Sequence, residues 1–487
     1  MIGTVVGRED TPTSEEFYFV FQENVGKGSY VEYEADGKVI ARVAEVYRAN
    51  EYFENAESIA EAMRSGEEVQ EKFPTEEWEV SVAKARIMGK FQEGMISRVS
   101  SAPAPGKRVE KADTGRVKEF LGLVDSGLEI GEVQQQDVTA SVDMTDTLQK
   151  HFAILAQSGA GKSYTASVLL EEVLDRETSP AVLAVDPHGD YTSFAEDEDY
   201  MAKTKVFGDR NVSIAVSNLS ADKIDAYFDL SPAQRRELSK AFSELKKGEN
   251  TDFGLRDLRK VIEEQEMNSG TRYVLLDTLR EMKSMQVFGK TDSPSAGDME
   301  PGKLNIIDLG EVINHKKKQI IAAYFGRRFF RLRRSGSIPP FLYLVEEAHN
   351  FAPEKQPSPS RSVIEKIARE GRKFHASLGL ISQRPVRLST TALSQCNTQF
   401  ILRVTNPNDL EHISQSSEGI TSDVKKQIPS LKTGEAIVIG EAVNYPTFID
   451  VRERRSEESD SGQGLENALE EWRQEEEQKD RDAEAFM

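Results

Sequence analysis

Residues Ala156 to Ser163 read AQSGAGKS, which is the Walker A pattern G-x-x-x-x-G-K-[ST] with alanine in place of its first glycine. In that pattern the glycines let backbone amides wrap a nucleotide's phosphates. The lysine meets the β and γ phosphates, and the hydroxyl ligates magnesium. The candidate nucleotide-binding residues are therefore Ser158, Gly159, Ala160, Gly161, Lys162, Ser163 and Tyr164, with Ser163 also a metal ligand; the cofactors implied are ATP and Mg2+. An apolar run, Phe152 to Leu155, precedes the loop, and a helical stretch from Lys162 to Leu174 follows it. This is the strand-loop-helix setting that a phosphate cradle needs. Ala156 restricts φ at the strand-to-loop turn but leaves every phosphate-contacting group in place.

A second apolar run, Phe341 to Val345, ends in Glu346-Glu347-Ala348-His349. A carboxylate at a strand end beside a phosphate loop can hold the magnesium's water shell, and a second can polarise the attacking water. Glu346 is assigned to magnesium and Glu347 to water activation. Asp186 ends the run AVLAVD, where the strand next to the phosphate loop is expected to finish; it either completes the metal or water site or caps the following turn, PHGDY. Gln383, just past SLGLIS, can place its amide on the γ-phosphate or the water. Arg369, Arg372 and Lys373 offer either an arginine that enters a neighbour's site or a plain basic surface. His349 and His375 lack metal-ligand spacing and Cys396 has no partner cysteine, which argues against zinc.

These groups need a scaffold that sets them side by side. After Gly131 apolar runs alternate with helical ones: FAILA, AVLAVD, KLNIIDL, FLYLVE, SLGLIS and QFILRV. Runs of this kind are strands buried on both faces of a parallel sheet. The class expected is α/β, a P-loop NTPase core over 131–451 with a helical insertion at about 220–290. Before it, residues 1–99 alternate with period two between turns and suggest a small β-barrel, interrupted by a helical insert at 55–70. Residues 100–130, opening with SSAPAPGK, are expected to be a linker, and 452–487 a charged tail that is either solvated or a docking arm.

The chain has 487 residues, 62 Lys and Arg, 83 Asp and Glu, and a net charge of −21. That excludes a uniformly basic nucleic-acid binder, so any DNA contact must be local. Lys316 to Lys318 and the run Arg327, Arg328, Arg331, Arg333 and Arg334 are the basic candidates, with subunit contacts or solvation as the alternative. The acidity is spread along the chain, as suits a protein dissolved in high salt. A single cysteine excludes an internal disulfide, and no stretch reaches the roughly 18 apolar residues of a membrane span. A cytoplasmic protein with no membrane partner is expected.

With these motifs in view, the sequence resembles the HerA family of hexameric DNA translocases, within the HerA and FtsK group. The resemblance rests on the phosphate loop, VDPHGDY, LVEEAHNFAP, EGRKFHASLGLISQRP and ILRVTNPND. It implies a RecA-like α/β core with a helical insertion, an N-terminal β-barrel and a homo-hexamer driving duplex DNA through its pore, with Lys162 as the phosphate lysine, Glu347 as the catalytic carboxylate and Arg372 as the trans-acting arginine. Arg384 is the next candidate for that arginine, and Asp186 matches the family's additional acidic position. The resemblance also implies a NurA-type nuclease partner in DNA-end resection. A ring ATPase of a defence or DNA-transfer system, or a nucleotide-gated scaffold, are the competing readings.

Overall fold

A computed structural model describes the chain apart from residues 8–11, 23–24, 50–59, 61–62, 65–78, 93–94, 248–251, 418, 459–468, 471, 475 and 477–487. Most of the helical insert expected at 55–70 and most of the tail beyond 458 therefore lie outside the described residues. Two compact units emerge, Met1–Asp143 with Gly434–Arg452, and Met144–Thr433 with Glu453–Met487.

The first unit holds the barrel. The strands are β1 (Gly3–Val6), β2 (Glu16–Phe21), β3 (Tyr30–Ala35), β4 (Gly37–Ala49) and β5 (Val80–Gln92); β1 and β2 alternate inward and outward residues, β2 burying Phe17, Phe19 and Phe21, while β3 buries Tyr30 to Tyr33 in succession. β6 (Met95–Ser97) pairs with β5, and β7 (Arg108–Lys111) sits between β1 and β3. Ordered β2-β1-β7-β3-β4-β5, the strands close through a β2–β5 pairing, so the ring has no open edge. The stretch expected to be a linker is thus structural. It supplies β7, whose Val109 is fully buried, and then α1 (Thr114–Leu121), capped by the Asp113 carboxylate accepting from Arg116 N at 3.0 Å. β7 escaped the sequence pattern because Val109 is its only apolar residue. β8 (Leu128–Val133) and β9 (Thr139–Val142) then form a hairpin.

The second unit is a parallel sheet flanked by helices. Its strands are β10 (Phe152–Leu155), β11 (Ala181–Asp186), β12 (Thr204–Phe207), then, after the minor pair β13 (Ile214–Ala215) and β14 (Phe288–Gly289), β15 (Leu304–Asp308), β16 (Phe341–Val345), β17 (Ala376–Ser382) and β18 (Thr398–Ile401). The order is β12-β15-β11-β16-β17-β10-β18, parallel at every pairing. β10, β11, β16, β17 and β18 are buried along their whole lengths, which is why they read as unbroken apolar runs. β12 is a partly exposed edge strand, TKVF, and carries no such signal.

Helix α2 (Lys162–Leu174) rises from the loop after β10. The amphipathic helices α3 (Ala221–Phe228), α4 (Pro232–Lys247), α5 (Leu255–Glu264) and α6 (Ser269–Ser284) occupy the stretch read as an insertion. Among them, α6 buries Leu275, Leu279 and Met282 at helical spacing. α7 (His315–Arg334) links β15 to β16, and α8 (Arg361–Glu370) precedes β17. The chain returns to the first unit as β19 (Glu435–Gly440) and β20 (Thr447–Val451), where β20 pairs with β8.

Candidate active site

Parallel strands all end at one edge of their sheet, and here the carboxyl ends of β11, β16, β17 and β10 lie in that order. The turn after β11, the Glu346-Glu347 corner after β16, Gln383 after β17 and the phosphate loop after β10 therefore share one edge. That is the position at which α/β sheets bind ligands.

The loop itself is shaped for an anion. Gly159 and Gly161 have φ of +73° and +96°, and a side chain at Gly159 would meet only open space. The first bond of α2 is Thr165 N to Gly161 O at 2.9 Å, so the amides of Lys162, Ser163 and Tyr164 have no acceptor within the helix. Ala156 does not have a positive φ; its amide simply donates to Ser382 O at 3.2 Å. The missing first glycine is therefore no defect, because this backbone never asks for one. Ser158 is exposed, Ala160 is buried, and the Tyr164 hydroxyl faces away to accept from Arg454 N at 2.7 Å.

Lys162 Nζ lies 2.5 Å from Glu346 Oε1, 3.2 Å from Glu347 Oε1 and 3.9 Å from Asp190 Oδ2. Burial by itself would lower the ammonium's pKa, but the charges of Glu346 and Glu347 outweigh it and raise it. Glu346 is fully buried and pushed up to about 7 by that burial, against the pull of Lys162 and of the Tyr191 hydroxyl, which donates to Glu346 Oε2 at 2.5 Å. Both oxygens of Glu346 are thus engaged. Glu347 differs: it sits in the left-handed region at φ 49°, ψ 45°, a strained setting for a residue with a side chain. Its buried Oε2 has no hydrogen-bond partner, although His349 Nδ1 stands 3.2 Å away and donates to or accepts from Ser382 Oγ at 3.1 Å. Burial lowers the His349 pKa, and Arg384, Arg387 and Lys162 add to that while Glu347 opposes it.

Asp186 is placed otherwise than expected. β17 and β16 separate β11 from β10, so its strand is not the phosphate loop's neighbour. Its carboxylate is spent on the following turn, accepting from His188 N, Gly189 N and Tyr191 N at 3.1, 2.8 and 2.9 Å. Of the two sequence alternatives, the capping one is what the geometry displays. That turn delivers Asp190, which the sequence reading passed over: Ser163 Oγ donates to Asp190 Oδ2 at 2.7 Å. Asp190 stands in the quoted PHGDY run, but only the strand order reveals that it reaches Ser163.

Gln383 is half-buried at the end of β17, and its amide makes no hydrogen bond among the described residues. Arg372 is exposed on the turn before β17, at the opposite edge of the sheet from its own phosphate loop. Arg384 follows β17, on the loop's own side. Arg454 was missed altogether: it packs its guanidinium over the Phe194 ring at 5.3 Å and reaches Ser193 Oγ at 3.0 Å.

The residues fit a nucleotide and a magnesium ion. Free amides and Lys162 suit phosphates, and the Ser163–Asp190 pair suits a cation that keeps most of its waters. Among the described residues no cluster of three or more metal-ligating side chains occurs, and none is needed for such an ion.

Fold and site together define a P-loop ATPase with a RecA-like sheet. Within that class, residues 128–329 match the family described as "Helicase HerA, central domain". The chain is 27% identical to the DNA double-strand break repair helicase HerA of Pyrococcus furiosus over 76% of this chain and 77% of that one. With the protein of the same name from Saccharolobus solfataricus it shares 25% identity over 93% and 92%. Among solved structures, VirB4 of Thermoanaerobacter pseudethanolicus superposes with a TM-score of 0.55 at 16% identity, covering 68% of this chain and 98% of that one. The plasmid coupling protein TrwB in complex with ADP and Mg2+ gives 0.50 at 13% identity, covering 72% and 94%; both likenesses speak for the fold alone. The chain is a relative of the HerA helicases along most of its length, and an ATP-hydrolysing enzyme of the helicase and translocase class. No described helix is long and apolar enough to cross a membrane.

Proposed function

We propose that this protein is an ATP-driven motor on duplex DNA, working as a homo-hexameric ring in double-strand break repair together with a NurA-type nuclease. The observation that carries the reading is Glu347: a buried carboxylate oxygen without a hydrogen bond, on a strained corner, beside a phosphate-loop lysine. A group kept this way is suited to take a proton from, and orient, an attacking water. Bound ATP with Mg2+ supplies the phosphoryl group and its charge screening.

Around them each side chain has a task. Lys162 leaves its carboxylates for the β and γ phosphates, and the amides of Gly159, Gly161, Lys162 and Ser163 close around them. Ser163 and Asp190 would hold a magnesium ion through its water shell, which would supply charge screening for the phosphates, and Glu346 fixes Lys162 in place. Asp186 is a positioning residue, because the turn it caps carries both Asp190 and Tyr191. Gln383 reports the γ-phosphate to β17, and Arg372 of a neighbouring subunit neutralises charge developing in the transition state. The named relatives motivate the DNA substrate and the repair role.

Phosphate release with and without duplex DNA, measured for the protein and its Glu347→Gln variant in molar salt, tests the reading. DNA-stimulated release that falls by orders of magnitude in the variant supports a motor. Equal release from both would leave a nucleotide-gated scaffold instead.

A further inference from the structure

Most of the cations singled out in the sequence turn out to be occupied. Lys316 pairs with Glu281, Lys317 with Asp209, and Lys318 donates to Pro187 O. Arg333 donates to Phe374 O and Ile338 O, and Arg334 lies 3.8 Å from Glu370. Arg328 Nε sits 2.5 Å from the buried Asp292 Oδ2. Asp292 is itself fully used, accepting from Ala215 N, Tyr324 OH and Asn218 Nδ2.

Two remain. Arg327 and Arg331, one turn apart on α7, pair with no carboxylate among the described residues. They line a cavity of about 60 Å³ with Lys223 of α3, Tyr324 and Arg328. At the liquid share of about 30 Å³ per water, that is space for roughly two waters, the scale of one tetrahedral oxyanion. Lys246 of α4 adds its charge nearby. Lys223 and Lys246 are steered by backbone carbonyls, Asn218 O at 2.5 Å and Leu219 O at 3.3 Å, neither of which neutralises them.

The cluster is strained electrostatically. Burial first, then the charges of Arg331, Arg327, Lys246 and Arg328, push the Lys223 ammonium down to about 8. Tyr227, close enough to Arg327 to feel its charge, keeps a buried hydroxyl with no hydrogen-bond partner. In a chain carrying −21, gathering cations without a counter-charge requires a reason. An anion in the cleft would relieve the repulsion and offer the guanidinium forks bidentate acceptors.

We propose that the cleft between α7 and the helices α3 and α4 binds one phosphate group, at a site separate from the phosphate loop. Lys318, which touches the turn after β11, and Arg331 are about 20 Å apart along α7, so the two anion sites are distinct. The phosphate comes from a DNA backbone or from free phosphate. The site stands whether or not the chain is a DNA motor.

The test uses the full chain in a Lys162→Ala background, which suppresses binding at the phosphate loop. Inorganic phosphate, compared with chloride at equal ionic strength, should raise the thermal midpoint. The gain should largely vanish with Arg327→Ala plus Arg331→Ala and return with lysine at both positions. Arg331→Glu alone, on an exposed residue that folding does not need, should abolish it too. Equal phosphate gains in all variants overturn the proposal. Fluorescence anisotropy on a labelled duplex then separates the sources. Weaker binding by the double-alanine protein with a salt slope shallower by about one assigns a DNA backbone phosphate, and unchanged binding alongside the lost phosphate gain assigns free phosphate.

Discussion

Glu346 and Glu347 are sequence neighbours with opposite surroundings. Glu346 has both oxygens filled, by Lys162 and by Tyr191, while Glu347 keeps one oxygen open. The two part company at Glu347, whose φ of +49° swings the chain out of β16. Because burial pushes Glu346 up to about 7, kcat/KM for ATP should fall as pH drops through that value, where the carboxylate takes a proton and stops ordering Lys162. Tyr191→Phe removes a bond to the ionised form and should move this limb upward by about one unit; a limb that stays put would deny Tyr191 its positioning role. Ala156→Gly should leave turnover within twofold and cost about 0.5–1 kcal/mol in denaturant unfolding, since the native φ is not positive and glycine adds only chain entropy. A large rise in turnover would mean the loop is distorted by its alanine. The loop was readable because its donors are contiguous in sequence. Asp190 and Tyr191 were not, because what they touch is decided by folding.

At the level of elements, strands announced themselves where both faces are covered. β10, β11, β16, β17 and β18 read as apolar runs, whereas β7 and β12, with one face or one edge in water, did not. Strand order carries no such signature, and that is why Asp186 was set beside the phosphate loop when two strands intervene. The acidic tail shows the same limit, since its composition hides how it begins. Residues 454–457 strap onto α2 and the turns beside it: the buried Glu171 Oε1 accepts from Arg455 N, Ser456 N and Ser456 Oγ at 3.0, 2.9 and 2.6 Å, and Asp197 Oδ2 accepts from Glu457 N. Glu171→Ala leaves these donors without their acceptor in the interior and should cost about 1–3 kcal/mol, read as a lower guanidinium midpoint. Since α2 starts in the phosphate loop, ATP affinity should fall as well. An unchanged midpoint would show that the strap contributes nothing.

For the molecule as a whole, the question is whether one chain contains a complete site. Phosphate loop, Glu347 and Asp190 converge at the carboxyl edge of the sheet, yet Arg372 lies before β17, whose seven residues span about 23 Å, at the other edge. An arginine so placed cannot serve its own nucleotide, but in a closed ring each subunit's opposite edge can face the next subunit's loop. Mixing therefore tests the assembly directly. Lys162→Ala and Arg372→Ala chains should each be nearly inactive alone, and co-assembled they should regain a substantial part of the DNA-stimulated turnover. At interfaces where Arg372 comes from the Lys162→Ala subunit and the loop from the Arg372→Ala subunit, every group is present. Activity that merely averages the two inactive proteins would place the arginine's role elsewhere. Repeating the mixture with Arg384→Ala, on the loop's own side of the sheet, should give no such rescue, because that residue and Lys162 then belong to the same half of the site.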